Sequence, residues 1–301
     1  MGFETSLIKE EIFNDFASFF QNVLNPEGEI GAELFNTDFV FRGEKSNTFK
    51  LIPKVLRDLS DLDKSVIYQY NGQINNSKTE YAQYTFEQAI INRFGKIANQ
   101  QGLLLPIPIK DYLVSLTSTF IHLKDKGEWP DQDQIELVAL AQHYGIPTRL
   151  LDFTFDIFIA LYFAAFTHED AEYIRLYALR TTELQRFGDK VAFHVPQYAH
   201  NKNLYTQKGV MVYLREQFDF TTDGGMQKLK VIRPLDEAMI ENFTRPGSLI
   251  LTYMYKIDLH KSIVPMLKKY LFKIGYNNSR VFPGFDSIKN TVIQENTIDD
   301  I

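Results

Sequence analysis

Cysteine is absent from the 301 residues, and with it go disulfides, a thiolate nucleophile, iron–sulfur ligation and every cysteine-based zinc site. Long apolar runs are lacking too: the longest markedly apolar one, Ile157 to Phe166, is ten residues, about half of what a bilayer requires, so no membrane partner is expected. Met1 to Phe13 holds no basic segment leading into an apolar stretch, which argues against a signal peptide and makes the cytoplasm the expected location. The opening Met-Gly-Phe-Glu-Thr-Ser fits the loose myristoylation pattern, a short pattern that chance satisfies. Neither charge sign dominates: 32 Lys and Arg against 38 Asp and Glu leave −6, so a chain-wide pull toward nucleic acid is missing and only a local basic patch would serve one. There is no G-x-G-x-x-G, no Walker-type glycine loop (Gly43-Glu44-Lys45-Ser46 lacks its spacing), no H-E-x-x-H and no G-x-S-x-G. The six histidines include no close pair on one helix face, so no metal is expected.

What is present is an ordinary globular composition, 45% hydrophobic and 14% aromatic, in a chain long enough to bury about three quarters of its unfolded surface. Leu7, Ile8, Ile12, Phe16, Phe19, Phe20, Val23 and Leu24 recur at three- and four-residue spacing, which predicts an N-terminal helix stopped by Asn25-Pro26. Asp38 to Arg42 reads as a short strand running into Gly43. Helices are expected over 81–98, 110–123 and 135–143, and an apolar one over 157–166. Period-2 stretches predict strands over 172–179, 190–195, 209–214, 228–232 and 249–257, followed by a helix over 259–274. The expectation is therefore α+β: a single domain with a helical N-terminal half and a mixed or antiparallel sheet. Residues 1–35 are a helical extension, 36–289 the domain, and 290–301 a polar, fraying tail.

One stretch is unusual. Between Gln142 and Thr154, seven polar side chains (Gln142, His143, Tyr144, Thr148, Arg149, Asp152, Thr154) sit in thirteen positions among large apolar residues. Buried polar groups need partners, and a cluster this dense is costly unless a site uses it. Gly145 and Pro147 place Gln142 to Tyr144 in a last helical turn. If 148–154 is extended, Thr148, Leu150, Asp152 and Thr154 share one face and Arg149, Leu151 and Phe153 the other. Asp152 or Asp156 suits the N-cap of the following helix, whose Ala160, Ala164 and Ala165 permit close backbone approach. Each residue has a structural alternative: His143 satisfying helix-end carbonyls, Arg149 with Asp152 as a buried pair, Tyr144 as core.

Phe41-Arg42-Gly43 with Leu51 to Arg57, Gln142 to Thr154 with Ala160 to Ala164, Asn203 through Gln207 to Met211, and Val281 to Asp286 together resemble the FRG domain family of mostly bacterial and phage-associated proteins. These four blocks run over roughly residues 38 to 289. An arginine at a strand tip followed by glycine, a polar block feeding a small-residue helix, and a third polar residue beside a strand are similar to the layout of ADP-ribosyltransferases. What that resemblance implies is an NAD-dependent ADP-ribosyltransferase-like effector, with NAD as substrate and a nucleic-acid or protein acceptor. Its setting would be a bacterial toxin or anti-phage defence protein, with an antitoxin partner.

On the same footing, Arg42 and Gly43 would hold the NAD pyrophosphate or ribose, since a planar guanidinium grips phosphate bidentately and glycine admits close approach. Tyr144 or Tyr162 would stack on nicotinamide. His143, Thr148 and Arg149 would orient the nucleotide, with Thr154 beside them. Asp152 would supply charge or hold Arg149, and Gln207 would take the third-motif place. The pattern departs there, because no Glu-x-Glu or Gln-x-Glu follows and Glu216 lies beyond the strand, which disfavours a protein arginine acceptor. The alternative class is a non-catalytic module that recognises a nucleotide or partner. A nuclease is disfavoured because the matched blocks carry no clustered metal-binding carboxylates.

Overall fold

The computed structural model describes residues 7–57, 80–107, 126–167, 170–182, 190–197, 199, 202–219, 234–243 and 252–299. In chain order these form β1 (Ile8–Phe13), α1 (Phe16–Phe19) continued by a wider turn to Leu24, α2 (Gly31–Asn36), β2 (Phe39–Glu44) and a tight turn at Lys54–Leu56. Then come α3 (Glu80–Gln100), β3 (Lys126–Trp129), α4 (Ile135–His143), β4 (Leu151–Thr154), α5 (Ile157–Phe166), β5 (Tyr173–Arg180), β6 (Val191–His194), α6 (Lys202–Thr206), β7 (Gly209–Leu214) and β8 (Glu216–Asp219). The last group is α7 (Leu235–Asn242), β9 (Met254–His260), α8 (Val264–Lys273), α9 (Asn278–Val281) and α10 (Phe285–Asp299). No helix among the described residues is long and apolar enough to cross a membrane.

The fold is α+β. Seven strands form one sheet in the order β1-β9-β5-β2-β4-β7-β6, antiparallel throughout except for the parallel β1–β9 edge, and β3 with β8 makes a second small sheet. Period-2 alternation sorts its side chains. Phe39, Phe41, Ile174, Leu176 and Ala178 pack on one face against α5 and α8, while Val40, Leu151, Phe153, Tyr177 and Leu179 build a separate core on the other. A third core joins α3 and α4 to Leu150, Met211 and Tyr213.

The helices at 135–143 and 157–166 and the strand at 209–214 form with the predicted ends. Gly145, at φ +90, ends α4 by donating its N–H to Gln142 and letting Ile146 donate to Ala141, which is why the chain turns there. Asp156, not Asp152, caps α5 by accepting from the Phe158 N–H at 3.1 Å. Three expectations are corrected. Residues 8–13 are a strand: six consecutive register pairs with β9 outweigh the helical spacing of Leu7, Ile8 and Ile12, so the N-terminal stretch is built into the sheet. The tail is helical to Asp299, because α10 packs on α8 and α9 and buries Ile298. The strand predicted from 249 is β9, which begins at Met254. The helix at 110–123 and the strand at 228–232 fall outside the described residues.

Candidate functional site

β2 and β4 share a single register pair, Phe41 with Thr154, and beyond it the ladder is not continued. The seam is bridged by a side chain: Arg42 donates from Nη1 to the Asp152 carbonyl at 2.8 Å and from Nε to Glu44 Oε1 at 2.7 Å. A cavity of about 830 Å³ opens at this seam, within the range that holds a whole small ligand. Its walls come from the end of β2, from β4, from α5 and from the 203–211 segment entering β7, with Phe49, Arg57 and Phe282 at its margins.

Gly43 is what lets the wall close. A Cβ there would overlap the Ala160 carbonyl oxygen and lie 2.9 Å from the Ala164 N, so only glycine brings β2 onto the small-residue face of α5. On the opposite wall, the last turn of α4 carries Gln142, which donates from Nε2 to Asp152 Oδ1 at 2.7 Å and accepts from the Thr148 hydroxyl. Thr148 also accepts the Leu150 N–H at 3.2 Å, tying the loop to the strand it precedes. His143 lines the cavity, and burial lowers its pKa below the ordinary value, with Asp152 nearby pulling the other way. The ring is therefore neutral near pH 7. Thr154 donates to the Gln207 carbonyl at 2.6 Å and accepts the Asp156 N–H at 3.0 Å, while the Gln207 amide donates to Val281 at 3.1 Å. That pins the third block to the second across the cavity floor.

The structure thus brings Arg42, Gly43, His143, Asp152, Thr154 and Gln207 together around one cavity. Four other predicted residues lie elsewhere. Arg149 points away from Asp152 into the α3 interface, where Nε donates to both oxygens of Glu87 at 2.9 and 2.8 Å and the Trp129 indole donates to the same carboxylate at 2.6 Å. It is a buried structural pair and does not reach the cavity. Tyr162 lies on the far side of α5, stacked on Phe166 at 4.5 Å with its hydroxyl accepting from Asn278 and Gln294. Tyr144 is 66% exposed and packs beside Phe94, outside the cavity. Thr148 supports Gln142 and lines a smaller neighbouring pocket.

Several cavity residues carried no signal of their own. Glu44, two residues past Arg42 and so on the same strand face, is a second carboxylate on the wall. Phe49, Phe163 and Phe282 replace the predicted tyrosines as its aromatic surface. Phe163 follows Tyr162 in the same small-residue helix, where a 100° step per residue separates core from cavity. Among the described residues no group of three or more His, Asp and Glu is placed to hold a metal ion.

Residues 37–173 match the FRG domain family, a stretch that includes Arg42, His143, Asp152 and α5 but not Gln207 or Phe282. No curated protein and no solved structure matches the chain.

Proposed function

We propose that the FRG domain at residues 37–173, completed by the 203–211 segment and Phe282, binds a nucleotide in the seam cavity and uses NAD as an ADP-ribosyltransferase-like enzyme. One observation carries this reading. Arg42 stands at the open seam, oriented by Glu44 and the Asp152 carbonyl, with the Asp152 carboxylate and a neutral imidazole lining the same cavity.

Held on two fixed acceptors, the guanidinium presents its remaining N–H groups as a preorganised clamp for phosphate oxygens. The phenylalanine rings give the nicotinamide an apolar seat. Cleavage breaks the bond between ribose C1′ and the nicotinamide nitrogen, the electron pair leaving with nicotinamide. The oxocarbenium-like ribose is stabilised by Asp152 and Glu44. An acceptor oxygen or nitrogen, or water, then bonds to C1′ and passes its proton to His143. The acceptor is nucleic acid or protein, and the family resemblance supports a cytoplasmic toxin or anti-phage effector held by an antitoxin as the setting.

A non-catalytic nucleotide-recognition module is the second reading. It is favoured by the third block, where Asn203, Leu204 and Gln207 line the cavity and no carboxylate does. Calorimetry with NAD alongside an assay of nicotinamide release separates the two. Release that is lost in Arg42→Ala and Asp152→Ala and reduced in Gln207→Ala supports the enzyme. Binding without release supports the module, and wild-type turnover in all three variants defeats this site.

A further inference from the structure

The first sequence block extends past Phe41-Arg42-Gly43 to Lys54 and Arg57, of which the seam cavity takes only Arg57, at its margin. The turn at Lys54–Leu56 is docked on the loop before β4, the Val55 N–H donating to the Thr148 carbonyl at 3.4 Å. This places Lys54 and Arg57 beside Arg42 around a second pocket of about 230 Å³, which shares Arg42, Arg57, Gln142 and Asp152 with the larger cavity. Three cations line it against one lining carboxylate, Asp152, with Glu44 paired to Arg42 beside it, which leaves an excess positive charge in a chain whose net charge is −6. The one carboxylate is already engaged with Gln142.

Arg57 is anchored at one end only: its Nε donates to the Ile52 carbonyl at 2.7 Å, and among the described residues its terminal amino groups meet no acceptor. Partial burial, and then the charge of Arg42, hold its pKa below the ordinary arginine value, with the Glu44 carboxylate pulling the other way. Like charges around one pocket repel, and Glu44, paired to Arg42, offsets only part of that repulsion. Arg57, held at Nε, and Arg42, held at Nε and Nη1, keep their remaining N–H groups for the oxygens of one phosphoryl group. A pocket of this volume suits a phosphate and is too small for a base and sugar.

We infer that the side pocket formed by Arg42, Lys54 and Arg57 is a phosphate subsite that takes a phosphoryl group of the nucleotide seated in the larger cavity. The inference rests on the nucleotide reading above, and its test is arranged so that the two can fail separately. Inorganic pyrophosphate, NAD, NADP and phosphate-free nicotinamide riboside are titrated by calorimetry into the wild-type chain, Arg57→Gln and Lys54→Gln. Pyrophosphate and the phosphate-bearing nucleotides are expected to bind about tenfold more weakly to Arg57→Gln, as loss of charge-assisted hydrogen bonds implies, and to lose affinity by a smaller factor in Lys54→Gln. Binding of the riboside should be unchanged.

NADP losing more than NAD in Arg57→Gln identifies the phosphoryl group as a monoester, and equal losses identify it as the pyrophosphate. Lys54 is exposed, so its variant keeps the test valid if Arg57→Gln fails to fold. Pyrophosphate binding that depends on Arg57, without nucleotide binding, defeats the nucleotide reading and leaves a phosphate site. Wild-type affinity for pyrophosphate and nucleotides in both variants, or no pyrophosphate binding by the wild-type chain, overturns the subsite.

Discussion

Gly43 and Gly145 are separated by what surrounds them. A methyl group at 43 meets the Ala160 carbonyl and the Ala164 amide, both backbone of α5, and neither can move without unseating the helix; at 145 it meets nothing within 4 Å. Gly43→Ala should therefore cost about 3 kcal/mol and close the cavity, whereas Gly145→Ala pays only for its left-handed backbone, about 1 kcal/mol. Urea midpoints at constant m-value would measure both, and equal losses would sink the close-packing account. The small residues of α5 were legible in sequence as a surface for close backbone approach, but not that Gly43, expected to approach the nucleotide, is the backbone that approaches them. The pairing of Arg149 was not legible either, since its partner Glu87 lies 62 residues away on α3 and no local spacing points to it. Glu87→Ala should cost about 3–5 kcal/mol, as it removes the buried carboxylate to which both Arg149 and the Trp129 indole donate. Changing Arg149→Met as well should restore part of that loss; a double variant no more stable than Glu87→Ala would argue that the ion pair is not the source of the cost.

At the scale of elements, those bounded by strong local signals were readable: α4 by Gly145 and Pro147, α5 by its apolar run after a candidate capping aspartate at 152 or 156, β7 as a short strand opening at Gly209. β1 was not readable, because Lys9-Glu10-Glu11 break any period of two while Leu7, Ile8 and Ile12 satisfy a helical spacing, and only pairing with β9 decides. That pairing has a consequence for solubility. β9 is a largely buried strand whose outer edge β1 covers along six residues, and a bare strand edge templates further pairing. Removing residues 1–14 should expose it while sparing the Asp15 cap of α1, and should turn a monodisperse sample into concentration-dependent aggregates on sedimentation. An unchanged sedimentation profile would mean that β1 is dispensable.

Over the whole molecule, the groups whose pKa values burial displaces bracket a neutral window. His143 at the C-terminus of α4 and His194, paired with Glu136 in the first turn of the same helix, are both lowered chiefly by burial from the ordinary value of 6.5. The unfolded chain thus takes up their protons first as pH falls, so stability is full above about 6.5 and declines below it. Tyr177, Tyr255 and Tyr270 are raised by burial, and Tyr276, which donates to Asp156 at 2.9 Å, is pushed up to about 12. Here the unfolded chain loses its protons first, so stability declines as pH rises past 10. Urea midpoints from pH 5 to 11 should trace a plateau with both limbs. His194→Gln should flatten the acid limb without touching ligand binding, because His194 lies off the cavity wall, while His143→Gln should flatten the same limb and alter nucleotide affinity as well. Tyr276→Phe should flatten the alkaline limb while lowering the plateau through the lost hydrogen bond. If the acid limb survives both histidine substitutions unchanged, it arises elsewhere, and the neutral imidazole assigned to His143 as proton acceptor loses its support.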